Sequence, residues 1–261
     1  MARQGCIFCG AKPTTQEHIV SRWCYEVVSE DSRGVPKKAV TTRSNSQGVL
    51  HSWISARPEF IANCVCDGCN SGWMNDIEHA ARPALSAMIR GQAITLDRPM
   101  QDKVATWLGL KAIVNQYGQS PIRPVRSDWI DHLYEHRRPP NTWQIRLSRY
   151  VGDHPVRMAS GEITSYFRHN LVPFTMQEPG LVFGAAIVYF FGQVYGVGRK
   201  TVVPAQRDLF GQIWPHPLLR LDNTQVPHND LVAWPPKGWL NDADVERYSR
   251  NITGDPPPSS H

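Results

Sequence analysis

The sequence contains no run of about 18 apolar residues, which excludes a membrane-spanning helix. Its most apolar stretch, 181–191, is about 11 residues long and too short to cross a bilayer. The first five residues also lack the apolar core of a secretory signal. We therefore expect no membrane contact and, with cysteines that stay reduced, a cytoplasmic protein.

Charge is present in only a small excess. The chain of 261 residues carries a formal net charge of +5, which permits a nucleic-acid partner but does not require one. Hydrophobic residues make up 41% of it, enough for a good core in one large or two modest domains. No internal repeat is visible.

Two CxxC pairs are the most specific motif in the chain. They supply four thiolates, the usual ligand set of a tetrahedral structural zinc site: Cys6, Cys9, Cys66 and Cys69. The pairs are separated by residues 10–65, far more than the about 15–20 residues of a compact zinc ribbon. This gap indicates that a functional element is inserted between them. A redox pair or buried free thiols are the alternatives, and Cys64 competes with Cys66 as the third ligand.

A Glu-His step follows the first pair, and an asparagine comes directly after the second. A zinc staple needs neither, whereas a second, catalytic metal site would use both. His18 suits a general base near pH 7, Glu17 is a hard oxygen donor, and Asn70 offers an amide oxygen. The simpler alternatives are a surface histidine at His18 and a helix N-cap at Asn70. On an extended strand Glu17 and His18 face opposite sides, so both reach one site only where the strand bends or ends.

The order CxxCG, Glu-His-Ile, CxxCN resembles the zinc-stapled branch of the HNH (ββα-metal) endonucleases. Gly72-Trp73-Met74 after Asn70, with Glu78 one turn on, is similar to a bacterial subgroup in which CN-x-GWM opens a helix. The resemblance covers less than a third of the chain and also touches 107–111 and 213–215. It implies a hydrolase that cuts phosphodiester bonds of nucleic acid, DNA more than RNA. The site it implies has His18 as base, Mg²⁺ or Mn²⁺ on Asn70 and Glu17, and a structural zinc.

The chain departs from the family pattern at two places. Members often carry Asp where Glu17 stands, and the residue that orients the catalytic imidazole is not obvious. Asn63 is the first candidate for that role, with Asn45 and His51 as alternatives. Two other functions remain open: a zinc-dependent nucleic-acid-binding protein without cleavage activity, and an anti-phage defence nuclease gated by a ligand.

The predicted fold is α+β. It consists of an N-terminal zinc-bound HNH-like ββα module over 1–90, a helical connector over 91–120, and a C-terminal mixed or antiparallel sheet domain over 121–261, whose role the sequence does not reveal. Helical spacing predicts helices over 75–90, kinked or split at Pro83, and over 100–117. On the first of these, Glu78 and His79 are predicted to be an exposed polar pair or supports of the metal site.

In the C-terminal part, alternation predicts strands over 142–147 and 163–167, each with one solvated face. The apolar stretch 181–191 is predicted to be the central strand, turning at Gly192-Gln193 into a hairpin. This part is also rich in arginine, which suits either a phosphate-binding groove or ordinary surface ion pairs. The groove candidates are two pairs: Arg137 with Arg138, and Arg146 with Arg149.

Overall fold

The computed structural model describes residues 5–29, 39–45, 48–55, 61–118, 125–152, 156–168, 175–187, 189–196, 211–214 and 231–244. In this part the chain is a mixed α+β protein built from helices and several small sheets, as predicted. The helices are α1 (Arg22–Ser29), α2 (Asp67–Cys69), α3 (Asn75–Ile89), α4 (Arg98–Gly118) and α5 (Ser127–His136). The first strands are β1 (Thr15–His18), β2 (Ala39–Asn45), β3 (Gly48–Ser55), β4 (Ile61–Val65) and β5 (Ile94–Leu96). The later strands are β6 (Gln144–Tyr150), β7 (Val156–Arg168), β8 (Thr175–Ile187), β9 (Phe190–Gly196), β10 (Gly211–Trp214), β11 (Val232–Trp234) and β12 (Trp239–Leu240).

The N-terminal part is organised by an antiparallel pair of short strands. Strand β1 lies against β4, with Thr15 opposite Val65 and His18 opposite Ile61. Helix α1 and the antiparallel pair β2–β3 come between them in the chain. This pairing brings the strand that leads into Cys66 next to the residues that follow Cys9.

A helical stretch begins directly after β4. The single turn α2 leads into a π-helical segment, Asn70–Met74, in which Gly72 leaves helical geometry with φ −91° and ψ −119°. Helix α3 then runs unbroken through Pro83. The predicted helix is confirmed, and it is not split in two at Pro83. A continuous buried stripe holds this helix in place: Ile77, Ala81, Ala84, Leu85, Met88 and Ile89.

Helix α4 is the central element of the core. Its residues 104–116 are almost entirely buried, including Trp107, Leu108 and Ile113, which confirms the predicted helix. It packs against α3 and β4 on the N-terminal side and against β8, β9 and β10 of the C-terminal sheet. One cluster of buried hydrophobic residues therefore extends from Cys6 to Trp234 and includes residues of all three predicted segments.

The C-terminal sheet has the strand order β10-β6-β9-β8-β7, and β12 joins β6 in parallel. The hairpin was predicted, but its turn lies elsewhere: β8 ends at Ile187 and β9 begins at Phe190. Gly192 and Gln193 are inside β9, where a Cβ at Gly192 would approach Leu108 of α4 to 2.5 Å. Only glycine lets the helix and the strand come this close.

The predicted solvated face of β6 is also wrong. Every residue of this strand is buried except the half-buried Arg149. Strand β7 covers the predicted 163–167 strand and pairs along its whole length with β8. Elsewhere, β5 pairs with β11, a contact that links residues far apart in sequence. None of the described helices combines the length and the apolar character that a membrane span requires.

Candidate metal centre and adjoining cleft

The four predicted cysteines come together at one point. The Sγ atoms of Cys6, Cys9, Cys66 and Cys69 all lie within 4.8 Å of one another, and those of Cys9 and Cys66 are 3.4 Å apart. Four sulfurs about 2.3 Å from a tetrahedral zinc would be about 3.8 Å apart, so the cluster fits this ion. Cys64 and Cys24 are buried outside the cluster. The structure thus contains a four-cysteine cluster consistent with a structural zinc, and Cys66 rather than Cys64 belongs to it.

Backbone amides prepare one of these sulfurs for an ion. Burial alone would raise the pKa of the Cys6 thiol, but the N–H groups of Cys9, Cys66 and Phe8 donate to the sulfur and lower its pKa to about 7. Burial raises the pKa of Cys69 to about 12. A bound cation would therefore have to displace the proton of Cys69, so metal binding at this cluster is coupled to proton release.

An aromatic cluster packs beside the cysteines. Trp73 lies edge-on to Phe8, with ring centroids 4.8 Å apart, and 5.9 Å from the ring of Tyr134 on α5. The guanidinium of Arg137 stacks over Trp73 at 4.2 Å and over Tyr134 at 4.7 Å. Arg137 thus makes cation–π contacts that connect α5 to the aromatic residues beside the cysteine cluster.

A polar cleft of about 530 Å³ opens next to this centre. Strand β1, helix α1 and the first turns of α3 form its walls. The residues that line it are Thr15, Gln16, Glu17, His18, Ser21, Arg22, Trp23, Glu26, Asn70, Met74, Asn75, Glu78, His79, Arg82 and Lys111. The cleft has the volume typical of small-molecule and cofactor sites. His18 and Asn70, which are far apart in sequence, border the same space.

His18 is half-buried at the end of β1. The Nε of Arg22, the first residue of α1, donates a hydrogen bond of 3.2 Å to His18 Nε2. Nε2 is the acceptor in this contact, so Arg22 occupies the one basic nitrogen of a neutral imidazole, and this nitrogen can take a proton only after Arg22 releases it. Arg22 itself is exposed at the rim of the cleft.

Asn70 connects the cysteine cluster to β1. Its backbone N–H donates to the carbonyl oxygen of Cys66 at 3.0 Å, and its Nδ2 donates to Thr15 Oγ1 at 3.1 Å. With the amide nitrogen engaged by the strand, Oδ1 is the atom that a cation would bind. The N-cap positions of this helical stretch are Cys66 and Cys69, so the N-cap alternative for Asn70 is wrong.

Glu17 points away from the solvent. Its carboxylate Oε1 lies 2.5 Å from the Nζ of Lys111, which also donates to the carbonyl oxygen of His18 at 2.7 Å. Lys111 Nζ is 2.5 Å from Glu78 Oε1 as well. Glu17 and His18 thus both border the cleft at the end of β1, where the pairing with β4 is irregular between Thr15 and Glu17, and the Glu17 carboxylate is paired with Lys111.

Glu78 and His79 differ in solvent exposure. His79 is exposed, as predicted. Glu78 is not, because it accepts hydrogen bonds from Ser21 Oγ at 2.7 Å and Trp23 Nε1 at 2.8 Å besides its pair with Lys111. Burial would raise the pKa of Glu78, but the positive charge and the hydrogen bond of Lys111 outweigh it and lower the pKa. Burial would likewise lower the pKa of Lys111, but the two carboxylates raise it.

The structure places the remaining candidates as follows. Asn63 is exposed on β4 and is not among the residues that line the cleft. Asn45 and His51 lie on the paired strands β2 and β3. Arg146 is buried and donates to Gln144 Oε1 at 2.8 Å, so it lies in no open groove.

Sequence reasoning assigned no role to Lys111 or Asn75. The available signal for Lys111 was a single cation in the otherwise apolar middle of an amphipathic helix. Within the described ranges, no second group of three His, Cys, Asp or Glu side chains comes close enough to hold an ion.

The fold and the site define an α+β protein with a four-cysteine cluster, consistent with a structural zinc, beside a polar cleft. Comparisons with known protein families, curated proteins and solved structures give no match to this chain.

Proposed function

We propose that the chain is a metal-dependent endonuclease of the HNH type. The observation that carries this proposal is that His18 and Asn70 border one cleft beside the four-cysteine cluster. The order of elements supports it: β1 ends at the histidine, β4 pairs with β1, and a helix follows the asparagine. Two short antiparallel strands and a helix, stapled by four sulfurs, are the arrangement that the motif resemblance implies.

The cleft residues suit phosphodiester hydrolysis. The imidazole of His18 would take the proton of the attacking water once Arg22, drawn to the phosphate, releases Nε2, and this role typically contributes a factor of about 10²–10⁴. Arg22 and Arg82 at the rim carry the positive charge that a phosphodiester backbone requires. Mg²⁺ or Mn²⁺, when bound, would neutralise charge on the phosphate and the leaving oxygen.

Asn70 is the residue proposed to hold the catalytic cation. Its Oδ1 would be one ligand, and water and phosphate would complete the coordination sphere, as is usual for Mg²⁺. Glu17 is the weaker candidate, since its Oε1 is engaged by Lys111. The proposal therefore gives Glu17 a supporting role through that ion pair and leaves direct contact to Asn70.

The test is cleavage of plasmid DNA and of single-stranded RNA in the presence of Mn²⁺. Wild type is expected to cut, and His18→Ala is expected to lose a factor of about 10²–10⁴. His136→Ala is the matched control, because this histidine is exposed on α5 and does not line the cleft. Equal activity of wild type and His18→Ala, at equal zinc content, would refute the proposal.

Binding without cleavage is the second candidate, favoured by the lack of a second three-ligand group in the described part of the chain. In that case wild type and His18→Ala would both retard DNA or RNA in a gel, and neither would cut with Mg²⁺ or Mn²⁺. The same two proteins thus decide between the two functions.

A further inference from the structure

We infer that Lys111 is the positioning residue for His18, an inference that rests on the proposed function. Its ammonium group donates to the carbonyl oxygen of His18 at 2.7 Å and lies 2.5 Å from Glu17 Oε1. These two contacts fix the positions of two consecutive residues at the end of β1. Lys111 belongs to α4, in the middle of the core, so the cleft residue His18 is held by a side chain that comes from a buried helix.

The third contact of the ammonium is with Glu78 of α3, and Glu78 in turn contacts α1. Glu78 Oε1 lies 2.5 Å from Lys111 Nζ, and Glu78 accepts further hydrogen bonds from Ser21 and Trp23. An ammonium has three donors, and here each of them meets an oxygen. Lys111 thereby joins the three elements that form the walls of the cleft.

Stability alone does not account for this arrangement. Removing an ammonium and two carboxylates from water costs free energy that their attraction only partly returns, and apolar residues of similar volume often serve stability better. The side chain of Lys111 is 1% exposed and that of Glu17 is 9% exposed, so the cost is incurred here. The cluster fixes position instead: Lys111 holds the Glu17 carboxylate and the His18 carbonyl oxygen, and thereby the place of the His18 imidazole at the cleft.

The experiment replaces Lys111 by methionine, which keeps much of the length and removes the charge. Lys103→Met is the matched control, because Lys103 is exposed on the same helix. Two quantities are measured for each protein: the steady-state constants with Mn²⁺ and plasmid DNA, and the ring resonances of His18 in histidine-labelled protein, assigned with His18→Ala. Circular dichroism and zinc content establish that the variants are folded.

For Lys111→Met we expect kcat to fall by a factor of about 10–100 with KM changed less than about threefold, since a misplacement near 1 Å has an effect of this size. The His18 ring resonances are expected to move while those of His136 stay. Lys103→Met is expected to match wild type in both. A fall in kcat with unmoved His18 resonances would overturn the inference, as would unchanged values of both.

The experiment remains decisive if Lys111→Met does not fold, and also if wild type shows no cleavage. Should Lys111→Met fail to fold, Lys111→Arg retains the charge, but its wider head group cannot keep all three contacts in their present geometry. Shifted His18 resonances and lowered kcat are then expected, and wild-type values would refute the positioning role. Should wild type cut nothing, the proposed function fails, and the His18 resonances alone still decide whether Lys111 positions the ring.

Discussion

Glu78 uses both of its carboxylate oxygens on buried donors: Oε1 on Lys111 and Ser21, Oε2 on Trp23. Such a residue contributes to stability only while it is ionised. Because the pKa of Glu78 in the folded protein lies below its ordinary value of 4.5, the unfolded chain binds the proton more tightly than the folded one. The contribution of Glu78 is fully present above about pH 4.5 and is lost as the pH falls through the lowered folded value.

We predict that Glu78→Gln lowers the free energy of unfolding at pH 7 by about 2 kcal/mol, the size of a hydrogen bond to a charged group. Towards pH 3 the difference from wild type should shrink, since wild type then loses the same interaction. Urea unfolding at a series of pH values measures this. Glu26→Gln is the control, because the Glu26 side chain is 65% exposed in its pair with Arg82. A difference that stays constant across the pH range would contradict the assignment.

A second prediction at this scale concerns Asn70. If its Oδ1 holds the catalytic cation, Asn70→Ala should lower cleavage and raise the Mn²⁺ concentration needed for half-maximal activity by about tenfold or more. Asn75→Ala, also on the cleft wall, is the comparison. An unchanged Mn²⁺ dependence in Asn70→Ala would remove this residue from the proposed site.

Among the elements, the link between β4 and α3 depends most on the four-cysteine cluster. This link consists of a single helical turn and a π-helical segment in which Gly72 departs from helical geometry. Trp73 in this link packs against Phe8, which lies between Cys6 and Cys9. The metal is therefore expected to be the main source of order here.

We predict about one zinc per chain, lost in Cys66→Ser and Cys69→Ser together with the fold of the N-terminal part. Elemental analysis and near-ultraviolet circular dichroism measure the two effects. Cys24→Ala is the control, because this buried thiol lies outside the cluster and its variant should retain the zinc. Native tertiary structure in the zinc-free variants would show that the ion is dispensable.

The contact between α4 and β9 yields another prediction at the scale of elements. Gly192→Ala should lower the free energy of unfolding by about 1–3 kcal/mol, because the new methyl group meets the buried tip of Leu108. Gly68→Ala, where a Cβ would have open space, should stay within about 0.5 kcal/mol of wild type. Chemical denaturation of both variants decides this.

The elements also show what the sequence could and could not predict. Amphipathic helices such as α4 were predictable, because apolar residues at helical spacing determine which face is buried. The turn after β8 was not, because a stretch in which nearly every residue is apolar carries no period that marks where a strand ends. The cysteine cluster followed from spacing and chemistry. The pairing of Glu17 with Lys111 did not, since the two residues meet only through tertiary packing.

For the whole molecule, the single buried cluster from Cys6 to Trp234 bears on the predicted division into three segments. Helix α4 belongs to the predicted connector, yet it is buried by elements on both sides. A connector of this kind cannot be separated from either neighbour without exposing a large apolar surface.

We predict that a fragment ending at residue 120 does not fold alone, even with zinc. Without the C-terminal sheet, α4 would expose Leu108 and its neighbours, and the fragment should aggregate or lack fixed tertiary structure. Nuclear magnetic resonance spectra of the fragment, compared with those of the full chain, test this. Well-dispersed signals and cooperative unfolding would show that the N-terminal part is an independent domain.

The segment between β1 and β4 has both of its ends anchored. The two strands are paired with each other, and the four cysteine sulfurs lie close together next to them. Lengthening a loop with anchored ends is inexpensive: doubling its length costs only about 0.6 kcal/mol in closure entropy. The β2–β3 hairpin could thus be extended, shortened or exchanged over evolutionary time with little effect on the cysteine cluster or the cleft. Variation in sequence and length can accumulate there while the cysteine cluster and the cleft stay unchanged.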